Sequence, residues 1–396
     1  MNKILLGALT TTILSNMLYA HEDITTVDPT KKEITEDKNN AFIQTLNGYV
    51  RAGYQTDGED RSDLALGGKL HLETTTWNGL SAGASFYTTH AIGSHDGAGF
   101  PFFDSNNESY DILGEAYLQA QYGNTTFKAG RQEIDTPYAD TDHNGMVPNT
   151  FEVYGLINTD LSDTMLIAAY ISKMAGIGAE IPEKFTDIGM DKGISVLGIV
   201  YEGFENLELQ GWYYDIRDSI GDRAFTYFDA TYAGQVSNIR YEIAAQYSTQ
   251  ESFEGDMDGN ANIYGIAGTL DIESIGVNIG AAYNRTNGTA ASDGFGGGPF
   301  YTSAENLTLP SGGTDAKATF FALKWDARSV SFEGMTLLAS YLTLTDRDDI
   351  VSNELNLAAS YAYNDDLTFD IIYFDTDDTI NAEAYKNTRV FVNYTF

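Results

Sequence analysis

The chain closes on Arg389-Val390-Phe391-Val392-Asn393-Tyr394-Thr395-Phe396, where every second residue (Val390, Val392, Tyr394, Phe396) is apolar and the last is a phenylalanine. That is the two-residue period of a strand with one greasy face. One such strand does not decide a fold, since soluble sandwiches alternate too. Here the rhythm recurs upstream. Leu46, Val50, Ala52 and Tyr54 share one face of a first strand whose other face carries Asn47, Tyr49 and Arg51. In a second, Leu64, Leu66, Leu70 and Leu72 oppose Asp63, Lys69, His71 and Glu73. Aliphatic on one side and charged on the other is what a sheet needs when one face meets lipid and the other water. The expected class is all-β, a transmembrane antiparallel β-barrel.

Strands are expected near 46–54, 63–74, 79–89, 111–122, 124–134, 149–158, 163–173, 192–202, 206–216, 222–233, 237–249, 261–271, 274–285, 316–327, 331–345, 351–363, 366–376 and 387–396. That makes about 18, with 16 as the alternative, and even numbers are the rule for single-chain bacterial barrels. Connection lengths alternate. Tyr122-Gly123-Asn124, Gly203-Phe204-Glu205-Asn206, Ile272-Glu273-Ser274 and Asn364-Asp365-Asp366 are tight, whereas 90–110, 173–191 and 286–315 are long. Short periplasmic turns facing long outer loops are the asymmetry of an outer-membrane barrel. Gly294-Phe295-Gly296-Gly297-Gly298-Pro299, within the last long loop, reads as a flexible segment.

The start of the chain points to export. A charged Met1-Asn2-Lys3, an apolar stretch from Ile4 to Leu14 and the small Ala20 read as a signal peptide over 1–20. A polar segment, 21–40, has no assignment, and the barrel is expected over 41–396. Residues 21–40 are too few for the plug domain of a TonB-dependent receptor. Beyond the leader no apolar run approaches the roughly 20 residues a spanning helix needs. With Cys 0, no disulfide supports the fold. The net charge of −35, from 57 acidic and 22 basic residues, repels nucleic acid and attracts cations. Aromatics at 13% are too many for a disordered acidic chain.

Residues 130–151 read Gly130-Arg131-Gln132-Glu133-Ile134-Asp135-Thr136-Pro137-Tyr138-Ala139-Asp140-Thr141-Asp142-His143-Asn144-Gly145-Met146-Val147-Pro148-Asn149-Thr150-Phe151. Pro137 and Pro148 cannot donate to a ladder, so the stretch between them leaves the sheet. Asp135, Asp140, Asp142 and His143 then hang in the lumen, and a ring of carboxylates favours cations. The Gly-Arg-Gln, Thr-Pro and Pro-x-Thr-Phe elements resemble the third loop of OprD-type outer-membrane porins. A second resemblance lies at Phe321-Ala322-Leu323-Lys324-Trp325-Asp326 followed by Phe332-Glu333-Gly334-Met335-Thr336-Leu337, and with the order, total length and Phe terminus along nearly the entire mature chain the whole resembles the branch of the family that includes epsilonproteobacterial porins. The resemblance implies 18 strands, a third loop folded inward over 135–149, and a basic ladder on the wall facing acidic groups. By parity, Arg51, Lys69, Lys128, Arg240, Lys324 and Arg389 point inward, with Asp63, Glu73, Glu115, Glu242 and Asp370. Arg131 falls by alternation with the outward Phe127 and Ala129, although the family motif places it at the channel. The bland alternative is that all these charges merely solvate a water-filled lumen.

The expected function is passive diffusion of small hydrophilic solutes and ions across the outer membrane, with a modest cation preference. Two other classes compete: an outer-membrane barrel hydrolase, and a non-conducting adhesin or structural barrel. The hydrolase needs a base. The 5 histidines are His21, His71, His90, His95 and His143; none sits in a nucleophile motif, and His90 and His95 fall in an outer loop. No cofactor is expected. Asp256-Met257-Asp258-Gly259-Asn260 spaces oxygen ligands as a calcium loop begins but lacks the closing glutamate. Loose Ca²⁺ or Mg²⁺ binding is the most that Asp256, Asp258 and Asn260, or the acidic runs 346–349 and 375–378, suggest at outer loops. Expected partners are outer-membrane lipid and lipopolysaccharide, the permeating solutes, and further copies in a homotrimer packed through outward Ala82, Ala84 and Ala359.

Overall fold

Inside a bilayer an unpaired backbone amide has no water to turn to, so a sheet that crosses must leave no free edge. The chain meets this demand by pairing its first strand with its last. The structure is a computed structural model that describes residues 42–189, 192–217, 222–251 and 259–396. The leader, the segment 21–40, Asp256 and Asp258 lie outside these residues.

The wall is built from 18 strands. They are β1 (Ile43–Thr56), β2 (Ser62–Thr74), β3 (Leu80–His95), β4 (Tyr110–Tyr122), β5 (Thr125–Gln132), β6 (Thr150–Asn158), β7 (Thr164–Ala175), β8 (Ile194–Phe204) and β9 (Leu207–Arg217). The second half comprises β10 (Asp222–Val236), β11 (Ile239–Glu251), β12 (Asn260–Ile272), β13 (Val277–Gly288), β14 (Lys317–Asp326), β15 (Met335–Thr345), β16 (Val351–Ala362), β17 (Leu367–Asp378) and β18 (Glu383–Thr395). Each is antiparallel to the next, and β1 closes on β18 from Tyr49 opposite Thr395 to Thr56 opposite Thr388. The seam ends with Gly48 N donating to Phe396 O at 3.1 Å and Phe396 N returning to Gly48 O at 3.0 Å. Gly48 has to be glycine, because a Cβ there would run into the Lys69 carbonyl of β2 and the Phe396 ring.

Sidedness follows the period. Val50, Tyr54, Leu66 and Leu70 are exposed on the outer face, while Arg51, Asp63, Lys69 and Asn393 are buried inside. The turns 123–124, 205–206 and 237–238 lie at the end where β1 begins and β18 finishes; the long connections 96–109, 133–149, 176–193 and 289–316 lie at the other. Several boundaries differ from expectation by a few residues: β15 begins at Met335 and not near 331, and β18 at Glu383 and not near 387. β3 runs on to His95, so His90 and His95 stand on a strand, and β17 runs on to Asp378, so the acidic run 375–378 is strand with Asp375 paired to Lys386 at 2.8 Å. Above the lipid both faces of a strand are wet, and the polar-apolar contrast that marks a strand in the sequence fades.

The interior is not simply water. Among the inward residues of β8 to β15, Val196, Trp212, Tyr214, Phe225, Ile263, Phe320 and Leu342 are apolar and buried, and they pack with Tyr138, Phe300 and Leu307 from the long connections. One side of the lumen is thus filled by folded-in loops. On the wall from β16 through β18 to β5 the inward residues include the charged Arg51, Asp63, Lys69, Glu115, Glu354, Asp370 and Arg389.

Candidate functional site

The third connection leaves β5 after Gln132 and forms a hairpin in which Asp135–Thr136 pairs with Ala139–Asp140, Pro137 and Tyr138 making the tip. Tyr138 fixes that tip. Its ring stands edge-on to Tyr214 at 5.4 Å, Phe225 at 5.2 Å and Phe300 at 6.3 Å, and its hydroxyl bonds Ser248 Oγ at 2.6 Å on β11. Edge-to-face packing of this kind is the favoured arrangement for aromatic quadrupoles. The hairpin therefore reaches across to the wall of β9 to β11, while its return limb is held on the opposite wall. There the Arg51 guanidinium of β1 donates to the Gly145 carbonyl and, at 3.5 Å, to that of His143. Met146 beds down over Gly53, where a side chain would collide with its sulfur, and beside Gly67, where one would run into the Thr88 carbonyl.

A second connection completes the crossing. Phe295 N donates to Tyr138 O at 2.9 Å and Asp140 N to Phe295 O at 3.1 Å, a short parallel bridge between loops 133–149 and 289–316. Gly294 and Gly296 take φ of +81° and +131° with their Cα atoms against the backbone of Tyr138 and Asp140. The expected flexibility of this glycine run is corrected: the glycines are there so that two backbones can touch. The far limb is pinned by Glu354 of β16, whose carboxylate accepts from Asn306 N at 3.1 Å, Leu307 N at 2.7 Å and Thr376 Oγ1 at 3.1 Å.

The charged groups gather between these loops and the wall β16–β18–β5. Lys69 Nζ lies 2.8 Å from Glu133 Oε1 and 3.0 Å from Glu115 Oε1, and the Tyr87 hydroxyl donates to Glu133. Arg389 of β18 pairs with Glu305 from loop 289–316 and is stacked on Phe100 at 4.1 Å and Phe374 at 5.1 Å. Its Nε and Nη1 have no hydrogen-bond partner among the described residues. Arg51 Nε donates to Asn393 Oδ1 at 2.6 Å, and Asn393 Nδ2 in turn to Asp370 Oδ2 at 2.9 Å.

Burial and neighbours set the protonation of the loop groups. Burial opposes the charge of Glu133, yet Lys69 beside it holds its carboxyl well below the ordinary range. Burial pushes Asp142 up to about 6, against the Asn144 amide, which favours the anion; Glu305 adds to the rise and Arg389 opposes it. Asp135 and Glu305 are raised by desolvation, the latter against Arg389. Desolvation holds the His143 imidazole below its usual value, against the pull of Glu133.

Of the residues singled out in the sequence, Asp142, His143, Arg51, Lys69 and Arg389 come together here, with Asp135 and Asp140 on the crossing hairpin. Lys128 lies on the same wall with its ammonium 3.8 Å from the Tyr117 ring centre. Glu242 on β11 and Lys324 on β14 face the interior elsewhere on the wall. Arg240 stands at the short-turn rim, its side chain 48% exposed and paired with Asp271 at 2.6 Å and Glu273 at 3.1 Å. Arg131 donates to Leu113 O at 3.3 Å and lies over Phe185 of loop 176–193, apart from the Lys69 cluster. Asn260 is the first residue of β12. Sequence reading missed Glu133, Glu305, Glu354 and the Phe100-Pro101-Phe102-Phe103 run, whose Phe102 packs on Phe391 at 5.6 Å. Glu133 sits inside the quoted motif and was within reach; three phenylalanines in a polar loop were a signal that the loop docks.

A family model described as outer membrane porin, OprD family, matches residues 98–352. Among solved structures, Pseudomonas aeruginosa OpdK, determined with vanillate, superposes with a TM-score of 0.76 at 14% identity, covering 89% of this chain and 98% of that one. Acinetobacter baumannii OccAB4 gives 0.75 at 14% identity, with 91% and 100% covered, and Pseudomonas aeruginosa OccK8 (OprE) 0.73 at 19%, with 90% and 99% covered. No curated protein sequence matches the chain.

Proposed function

Because this chain belongs to the OprD family of outer-membrane porins, channels rather than enzymes, we propose that its passage is an eyelet between loop 133–149 and the wall from β16 through β18 to β5, tuned for small cations and zwitterions. The observation that carries this reading is the pairing of the bases. Lys69 is claimed by Glu115 and Glu133, and Arg389 by Glu305. Counted over the whole cluster, the acids Glu115, Glu133, Asp135, Asp142, Glu305 and Asp370 outnumber the bases Arg51, Lys69 and Arg389, and an excess of carboxylate raises the local concentration of cations.

A second reading is passage of anions, because a similar fold, OpdK, was determined with the aromatic carboxylate vanillate. Reversal potentials in a KCl gradient across a planar bilayer separate the two. We expect cation selectivity that falls when Asp135, Asp140 and Asp142 are changed together to Asn. An anion-selective native channel, or a triple variant with unchanged selectivity, defeats the first reading; absence of any ohmic current would deny that this chain conducts. The reading also includes export through residues 1–20, contact with outer-membrane lipid and lipopolysaccharide, and a place in the epsilonproteobacterial branch, which rests on the resemblance at 130–151, 321–326 and 332–337 together with the order of elements, the length and the terminal Phe396.

A further inference from the structure

Loop 289–316, which fills much of one side of the lumen, is fastened through carboxylates. Three of them meet only neutral donors among the described residues: Glu354 of β16 accepts from Asn306 N and Leu307 N, Asp229 of β10 accepts from the Tyr301 hydroxyl, and Asp293, inside the loop, accepts from Thr308 Oγ1 at 2.7 Å. Asp293 is the least satisfied. Its Oδ1 is sealed from solvent and has no hydrogen-bond partner among the described residues. The chain folds back over it, so that a Cβ on Gly298, at φ +77°, would press on both its Cβ and its Oδ1.

This carboxyl sits at the joint of three elements. On one side Gln250 of β11 grips the neighbouring Ser292 backbone, donating from Nε2 to its carbonyl at 2.8 Å and accepting from its amide at 2.7 Å. On the other, Gly294 rests on the Tyr138 backbone of the crossing hairpin, and Thr308 ties in the return limb of the loop. The titratable groups around the joint are Tyr138, Asp140, which lies against Gly297, and Glu305 along the loop, which is committed to Arg389. No Lys, Arg or His among the described residues offsets the charge of Asp293.

A carboxylate buried with one oxygen unmatched and no cation beside it is costly, and either a proton or exposure to water relieves the cost. We propose that loop 289–316 is a proton-sensitive latch: with Asp293 neutral it stays packed across the lumen, and with Asp293 charged it lifts and widens the passage. Burial pushes this carboxyl up to about 7, and Thr308 alone opposes the rise. An acid raised in this way favours the packed loop below its ordinary value of about 4, and that support is lost as pH climbs to about 7. Inside this window packing takes up one proton, so the odds of release grow by up to about tenfold per pH unit, then level off. Acid therefore holds the filled half of the lumen shut.

Single-channel recordings in symmetrical KCl across this pH range test the latch. They carry no reversal potential, so the latch and the cation preference of the eyelet can fail separately. The native channel should visit a wider level with odds that rise by up to about tenfold per pH unit and flatten above about pH 7. D293N, neutral at every pH, should show low and constant odds; T308V, which removes the one donor to the carboxylate, should move the flattening to higher pH. Native odds that stay constant or rise toward acid, a D293N channel with the native slope, or an unmoved T308V window overturns the proposal. Limited proteolysis of barrels that retain heat-modifiable gel mobility gives a second readout. Cleavage within 289–316 of the native chain, taken relative to D293N at the same pH, should increase from about pH 5 to about pH 8, and an equal ratio at both also overturns it.

Discussion

At the scale of single residues, Asp142 and Tyr138 do different work in the same loop. Burial lifts Asp142 to about 6, so its carboxyl is charged at neutral pH and becomes neutral as pH falls through that value. Cation selectivity measured by reversal potential should therefore decline between pH 7.5 and pH 5, and the decline should be smaller in D142N, which has no proton to gain. Tyr138 holds the hairpin tip, and removing a buried aromatic costs roughly 3–5 kcal/mol. Y138A should leave the barrel folded but loosen the crossing, giving larger and noisier single-channel currents; unchanged currents would show that the tip does not restrict the passage. The inward bases Arg51, Lys69 and Arg389 were legible because a strand's period of two is rigid. Glu305 was not, since its partner Arg389 lies on a strand far along the chain and nothing local marks the docking of a loop.

At the scale of elements, the strand list read from alternation matches the wall in number and order, with bounds off by a few residues at either end, as in β3, β15, β17 and β18. The loops were the harder part. Pro137 and Pro148 showed that 133–149 leaves the sheet, but the bridge from Phe295 to Tyr138 and Asp140 depends on two glycines whose purpose is visible only once the backbones meet. Loop 289–316 hangs on Glu354, and each buried amide left without an acceptor costs about 1–3 kcal/mol. E354A should free residues 305–309, seen as flickering conductance and faster proteolysis there while the barrel stays heat-modifiable. If the cleavage pattern of E354A equals that of the native protein, the clamp is not what holds the loop.

At the scale of the whole molecule, sidedness and class were readable from the start, because a lipid-facing surface and a wet interior impose opposite chemistry on neighbouring residues. What the sequence did not reveal is that the interior is half filled: buried aromatics on β9 and β10 look like ordinary strand residues until loops supply their partners. Closure itself can be tested at Gly48. A side chain there is overpacked against Lys69 O and Phe396, which costs about 1–3 kcal/mol. G48V should lower the temperature at which the folded band disappears on a gel, and an equal temperature would show that the seam tolerates bulk.

The ladder between β1 and β18 also has a consequence for biogenesis. The strand synthesised first has to wait for the one synthesised last, and until both are present the growing sheet offers two naked borders to anything that can pair with them. A polypeptide cut short before residue 383 is not a smaller pore but a sticky ribbon, because β1 and β17 are then each left with an unpaired border.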